Sequence, residues 1–319
     1  MSEHYLWDRS GPPDPEIEHL ERTLAPLRYR HRPELVREAA PRPRLWWAAA
    51  AAAVAAAVGL SQLAAPPAPT TAWQVTSLNG QARLGNQGAA VAMALRQGEV
   101  LRTGSASGLT LEADELGRID VGPDSQLRAA TSRRVLLQQG VLHAFIWAPP
   151  RQFVVDTPSA RATDLGCEYT LTMDGSGNGL LRVAMGWVAF QFAGHEAFIP
   201  AGARCATRQR EGPGIPFYED APEPLRQAVA AVERGDAAAV GSILAAARPR
   251  DGLTLWHLLA RVPAGDRGPV FDRFARLVNL PAGVSRERAL RNDPRTMDLC
   301  WDALNLENTA WWRGWERKW

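Results

Sequence analysis

Cysteine is scarce in this chain: three residues, Cys167, Cys205 and Cys300, in 319. That count excludes a disulfide-rich scaffold, and the spacings contain no CxxC pair. Lysine is scarcer still, since all of the 36 basic residues except Lys318 are arginine. Alongside abundant alanine and proline this is a compositional bias, and it carries no functional weight. An excess of either charge is also missing: the net charge is +2, so no global basic field points to nucleic acid.

The marks of catalysis are absent too. His143, His195 and His257 have no metal spacing such as HExxH around them, and GSASG at Gly104 to Gly108 is not the GxSxG elbow. No glycine-rich phosphate loop leads into a helix. Asp156 and Asp164 flank TPSARAT, where strand-end carboxylates are expected to be exposed rather than to work as a glycosidase pair. His257, within LTLWHLL, is expected to flank a core. The sequence therefore nominates no catalytic residue, no cofactor and no metal ligand, and the chain reads as a non-enzyme.

Charge disappears altogether between Leu45 and Ala65. Twenty-one helical residues would rise about 31 Å, against a hydrocarbon core of about 30 Å. The polar stripe of a soluble surface helix is missing, because Ser61 and Gln62 are the only polar side chains in the run. Trp46 and Trp47 sit at the arginine-flanked end, as an interfacial belt would. A cleaved signal would need a 44-residue leading region and would cut beside Pro66 with Leu63 at a small-residue position. The segment is expected to be an uncleaved single transmembrane helix. Arg30, Arg32, Arg37, Arg42 and Arg44 precede it and no basic residue follows until Arg83, which puts the N-terminus inside.

The expected organisation follows: a cytoplasmic tail over 1–44, the span over 45–65, a linker over 66–72, a β domain over 73–220 and a helical domain over 221–319. In the tail, Asp14 can cap a helix, Pro15 suits its first position, and Ile17, Leu20, Leu24 and Leu27 fall on one face. Four turns are too few to be stable alone. The segment is either a docking helix for an internal partner, with Trp7 in an apolar hook ahead of it, or a juxtamembrane stretch with no partner.

Past the linker, GVLHAFIWAP, RQFVVDTP and GLLRVAMGWVAFQF have the texture of short strands, and CEYTLTMDGSGNGLLRVAM looks like a hairpin turning before Gly179. The DGSGNG stretch fails as a calcium loop on residue type and on the missing terminal glutamate. From Pro222 the spacing becomes helical, broken at Gly235-Asp236 and at Pro249 to Gly252, and five or six helices are expected. Trp311, Trp315 and Trp319 share one helical stripe, either as packing or as a surface for a partner or membrane. The fold class is thus a mainly β external domain, sandwich-like or a short solenoid, behind a transmembrane helix and followed by a small α-helical array. An oxidising exterior would permit a Cys167–Cys205 bridge, the alternative being two separate buried thiols, while Cys300 is expected as a buried thiol.

Four stretches in the β region carry a family resemblance. RQGEVLRTGSASGLTLEADELGRIDVGPDSQLRA, RVLLQQGVLHAFI, FVVDTPSARATDLGCEYTL and LLRVAMGWVAFQFAGHEAFIPAGARCAT resemble, in order and spacing, successive parts of the FecR domain. The resemblance implies an anchored protein that relays envelope signals to a cytoplasmic extracytoplasmic-function sigma factor. Three departures accompany it. Gly166, Cys167 and Tyr169 stand where the family usually has Gly-Thr followed by an aromatic. The tail lacks the family's longer helical domain with its Trp-containing motif, and helices replace the usual small α/β module at the C-terminus.

Two functional classes remain. The first is a single-pass inner-membrane regulator with its C-terminal domains in the periplasm, meeting a sigma factor inside and an unidentified periplasmic partner or ligand outside, with no direct nucleic-acid contact. The second is an envelope interaction protein whose anchored β domain binds a glycan or a protein.

Overall fold

A computed structural model describes residues 73–306, together with His19, Thr23 and Leu24. The 45–65 run, the Trp311 to Trp319 stripe, and Trp7, Ile17, Leu20 and Leu27 lie outside these residues. Among the described residues no helix is long and apolar enough to cross a membrane.

Alternating apolar and polar residues fold into two sheets. The first contains β1 (Trp73–Asn79), β6 (Gly108–Ala113), β7 (Gly117–Val121), β12 (Glu168–Met173), β13 (Gly179–Met185) and β16 (Ala203–Arg208). The second contains β2 (Ala82–Leu84), β5 (Val100–Thr103), β8 (Gln126–Thr131), β10 (Val154–Asp156), β11 (Arg161–Asp164), β14 (Trp187–Phe192) and β15 (His195–Pro200). Short strands β3 (Gln87–Gly88), β4 (Ala94–Leu95), β17 (Gly212–Pro213) and β18 (Phe217–Tyr218) extend the edges. In β6 every second residue is buried, Leu109, Leu111 and Ala113, as a sheet with one solvated face requires. The buried faces of both sheets contribute to one core. The expected mainly β domain followed by a helical array is what the described residues show.

One strand joins the layers. The first half of β9 (Arg134–Ile146) lies between β8 and β10 in the second sheet, parallel to β10. Its second half lies between β7 and β12 in the first. The change comes at Gly140, whose φ of +99° is closed to ordinary side chains. A Cβ there would overlap Ser125 Oγ and Cα. Ser125 uses the approach: its hydroxyl accepts from the Val141 amide at 2.9 Å.

Six α-helices follow among the described residues: α1 (Glu223–Glu233), α2 (Val240–Ala246), α3 (Gly252–Arg261), α4 (Arg267–Leu277), α5 (Arg286–Leu290) and α6 (Pro294–Ala303). The breaks fall where the sequence puts them, with Asp236 capping one restart and the Asp251 carboxylate accepting from the Arg248 amide at 2.8 Å at the other. Residues 73–306 lie within one compact unit, and the helices pack on the β domain and share its core. Their cover explains why Val188, Ala189 and Phe190 on β14, and Ala197, Phe198 and Ile199 on β15, are buried consecutively rather than alternately. Trp301 on α6 packs against Trp187 at 6.0 Å, Phe198 at 5.8 Å and Trp256 at 4.8 Å between ring centroids.

Candidate functional site

Among the described residues, the outer face of the first sheet carries the clearest concentration of exposed apolar side chains. Strand register sets Glu112, Arg118, Phe145, Glu168 and Met185 side by side across β6, β7, β9, β12 and β13. Phe145 is 39% exposed, Met185 47%, and Trp147, just past the end of β9, 50%. The indole N–H of Trp147 donates to the Asp114 carbonyl at 2.8 Å, and its ring meets Phe145 edge-on at 5.9 Å. In the neighbouring row His143 stands between two carboxylates, Nε2 3.1 Å from Glu168 and Nδ1 3.7 Å from Asp120. Arg118 holds Asp120 at 3.0 Å. The sequence reading missed this surface because it needs the register of five strands. The one local signal was the string FIW, in which residues of opposite facing are all apolar.

A second cluster is internal. Asp164 is fully buried, and its carboxylate accepts from the amides of Gly166 at 3.0 Å and Cys167 at 3.1 Å, and from the Cys167 thiol. Burial pushes this carboxyl up to about 6, against the lowering pull of those donors. The same burial, with the nearby carboxylate, raises the Cys167 thiol. Exposed carboxylates were expected at Asp156 and Asp164; both positions correct that expectation. Asp156 is partly buried between Arg134 and Arg161, and although burial lifts its pKa, the two guanidiniums outweigh this and hold it below the usual carboxylate range. The β10–β11 hairpin keeps the two acids at opposite ends.

The cysteines do not pair. All three are buried free thiols, as Cys300 was expected to be. Cys205 lies level with Leu181 and Leu171, hence two strands across from β12 and several residues along it from Cys167. Two strand spacings are about 9.5 Å, beyond the reach of a disulfide, which needs Cα atoms within about 7 Å. The Cys205 thiol faces the Ala206 and Gly214 carbonyls at 3.3 and 3.4 Å instead.

His257 lies in the core, where α3 packs on β15 of the second sheet. Its Nδ1–H donates to the Leu253 carbonyl at 3.0 Å, leaving Nε2 to accept from the Phe198 amide at 3.2 Å on the open edge of β15. Burial depresses its pKa to about 3 and keeps it neutral. This histidine therefore satisfies a sheet edge. A cavity of about 230 Å³ beside it is lined by His195, Glu196, Trp256 and Asn292 among others, and one of about 300 Å³ by Leu277, Val278, Leu304 and Leu306 among others. Neither joins a nucleophile to a base. Among the described residues no group of His, Cys, Asp and Glu could hold a metal ion. The Asp174 carboxylate, in the failed calcium-loop sequence, accepts from the Ser176 and Asn178 amides at 2.8 and 2.9 Å and closes the β12–β13 hairpin.

Of the proposed docking helix, the structure describes His19, Thr23 and Leu24, all helical and exposed, with the Thr23 hydroxyl donating to the His19 carbonyl at 2.9 Å. Leu24 is 54% exposed.

No family model matches the chain, and no curated protein matches it. Two crystal structures of a proposed anti-sigma factor from Parabacteroides distasonis are similar to it at 15% identity, with TM-scores of 0.34 and 0.32. Each likeness covers 43% of this chain, and 65% and 64% of the respective neighbour. At this distance the likeness carries no functional conclusion.

Proposed function

We propose that the chain is a non-catalytic, single-pass inner-membrane regulator whose periplasmic FecR-like domain relays an envelope signal to a cytoplasmic sigma factor. The observation that carries this reading is the placement of the four FecR-like stretches. They fall on β5 to β8, on β9, on β10 to β12 and on β13 to β16, twelve consecutive strands of one two-layer domain. The uncharged 45–65 run and its arginine flank supply the anchor and its orientation. The apolar face of Ile17, Leu20, Leu24 and Leu27, with Trp7 ahead of it, supplies the internal contact.

Cys167 accounts for one departure from the family. Its thiol donates to Asp164 where the family's usual threonine would offer a hydroxyl, so the turn into β12 keeps a donor.

Affinity capture with residues 1–44 as bait tests the reading. An extracytoplasmic-function sigma factor should be retained, and Leu20→Asp with Leu24→Asp should release it, while Glu21→Ala retains it. A bait that holds no sigma factor favours the envelope interaction protein, for which the exposed Phe145, Trp147 and Met185 would supply the binding surface.

A further inference from the structure

The exposed patch on the first sheet has both a size and a charge. At 39% to 50% exposure, Phe145, Trp147 and Met185 together offer on the order of 300 Å² of apolar surface, an extent that often marks an interaction site on a monomer. It is also preorganised. Trp147 is tied by its indole N–H to the Asp114 carbonyl and braced by Phe145, and Phe145 and Met185 stand on paired strands either side of Glu168. Side chains already held in place lose little freedom on binding.

The rim is acidic. Glu112 sits in the Phe145 row, and Asp114 and Glu115 are exposed in the turn that Trp147 covers. None of these three has an ion-pair partner among the described residues. The guanidinium of Arg118 is engaged by Asp120 and that of Arg182 by Glu219 at 3.4 Å, so neither offsets the surplus. Such a rim repels an anionic lipid surface. A sugar ring is also a poor fit, because the Phe145 and Trp147 planes are inclined at 63° and present no common platform.

We propose that this face docks a peptide segment of another protein that presents apolar side chains flanked by arginine or lysine. The apolar residues would seat on Phe145, Trp147 and Met185, and the flanking cations would meet Glu112, Asp114 and Glu115. From Glu112 to Met185 the row crosses four strand spacings, about 19 Å, a length that six extended residues span. The inference concerns the β domain alone and holds whether or not the N-terminal tail meets a sigma factor.

The test uses the full-length chain in detergent and two synthetic ten-residue peptides with the same four central leucines and tryptophans, one flanked by arginines and the other by glutamates. The arginine peptide should bind at least tenfold more tightly than the glutamate peptide and weaken as salt rises. Phe145→Ser with Met185→Ser should reduce its binding at least tenfold. Because that variant could fold poorly, a charge-only variant, Glu112→Arg with Glu115→Arg, is measured beside it and should narrow or reverse the preference. Equal binding of the two peptides by the wild type, or an arginine-peptide affinity unchanged in the charge variant, would overturn the proposal. So would binding of a soluble chito-oligosaccharide at the same patch in place of either peptide.

Discussion

Asp164 is the residue at which pH meets the fold. In the unfolded chain its carboxyl would titrate near 3.8, whereas in the folded protein burial holds it at about 6. The folded state therefore binds the proton more tightly, so the contribution is fully present below pH 3.8 and is lost as pH rises through 6. The difference of about two pKa units corresponds to roughly 3 kcal/mol. Asp164→Asn cannot titrate, so its stability relative to the wild type should improve by about that amount between pH 4 and pH 7 in paired denaturant melts. An identical gap at both pH values would show that the buried carboxyl is not perturbed in this way. Nothing local in TDLGCEYT announces that burial: the segment reads as a strand end, and the tertiary packing is what removes the water. His257 was legible as a core-flanking residue from its apolar neighbours. Its tautomer was not, since that depends on an edge amide from Phe198, 59 positions away.

Among the elements, β9 decides whether there is one sheet or two. A thirteen-residue strand with glycine in its middle can be read as two strands and a turn, and RVLLQQGVLHAFI alone does not choose. The structure uses Gly140 as a bend that hands the strand from one layer to the other, with Ser125 pressed against it. Gly140→Ala should destabilise the domain by more than about 3 kcal/mol, through backbone strain and overlap with Ser125 together, as read from the denaturation midpoint. A loss below about 1 kcal/mol would mean that the strand can pass between the sheets without that close approach. Strand texture and helix breaks were legible because alternation, capping and proline act locally. The exposed row from Glu112 to Met185 was not, because register is a relation among strands that the sequence keeps far apart.

Along the whole sequence, a tail with apolar residues at helical spacing and an uncharged run precede a mainly β domain with a helical cover. The proposed relay requires the tail to control transcription through its apolar face, with leucines contributing roughly 1.5 to 3 kcal/mol each when fully buried in a partner. Substituting aspartate at Leu20 and Leu24 removes that face while leaving the 45–65 run untouched. The most direct measurement is a transcript profile of cells carrying the full-length chain, the Leu20→Asp and Leu24→Asp double variant, or Glu21→Ala, each verified in the membrane fraction at equal amount. The account predicts that the double variant deregulates one set of genes sharing a sigma-factor promoter, and that Glu21→Ala matches the wild type. A double variant whose profile also matches the wild type would contradict it.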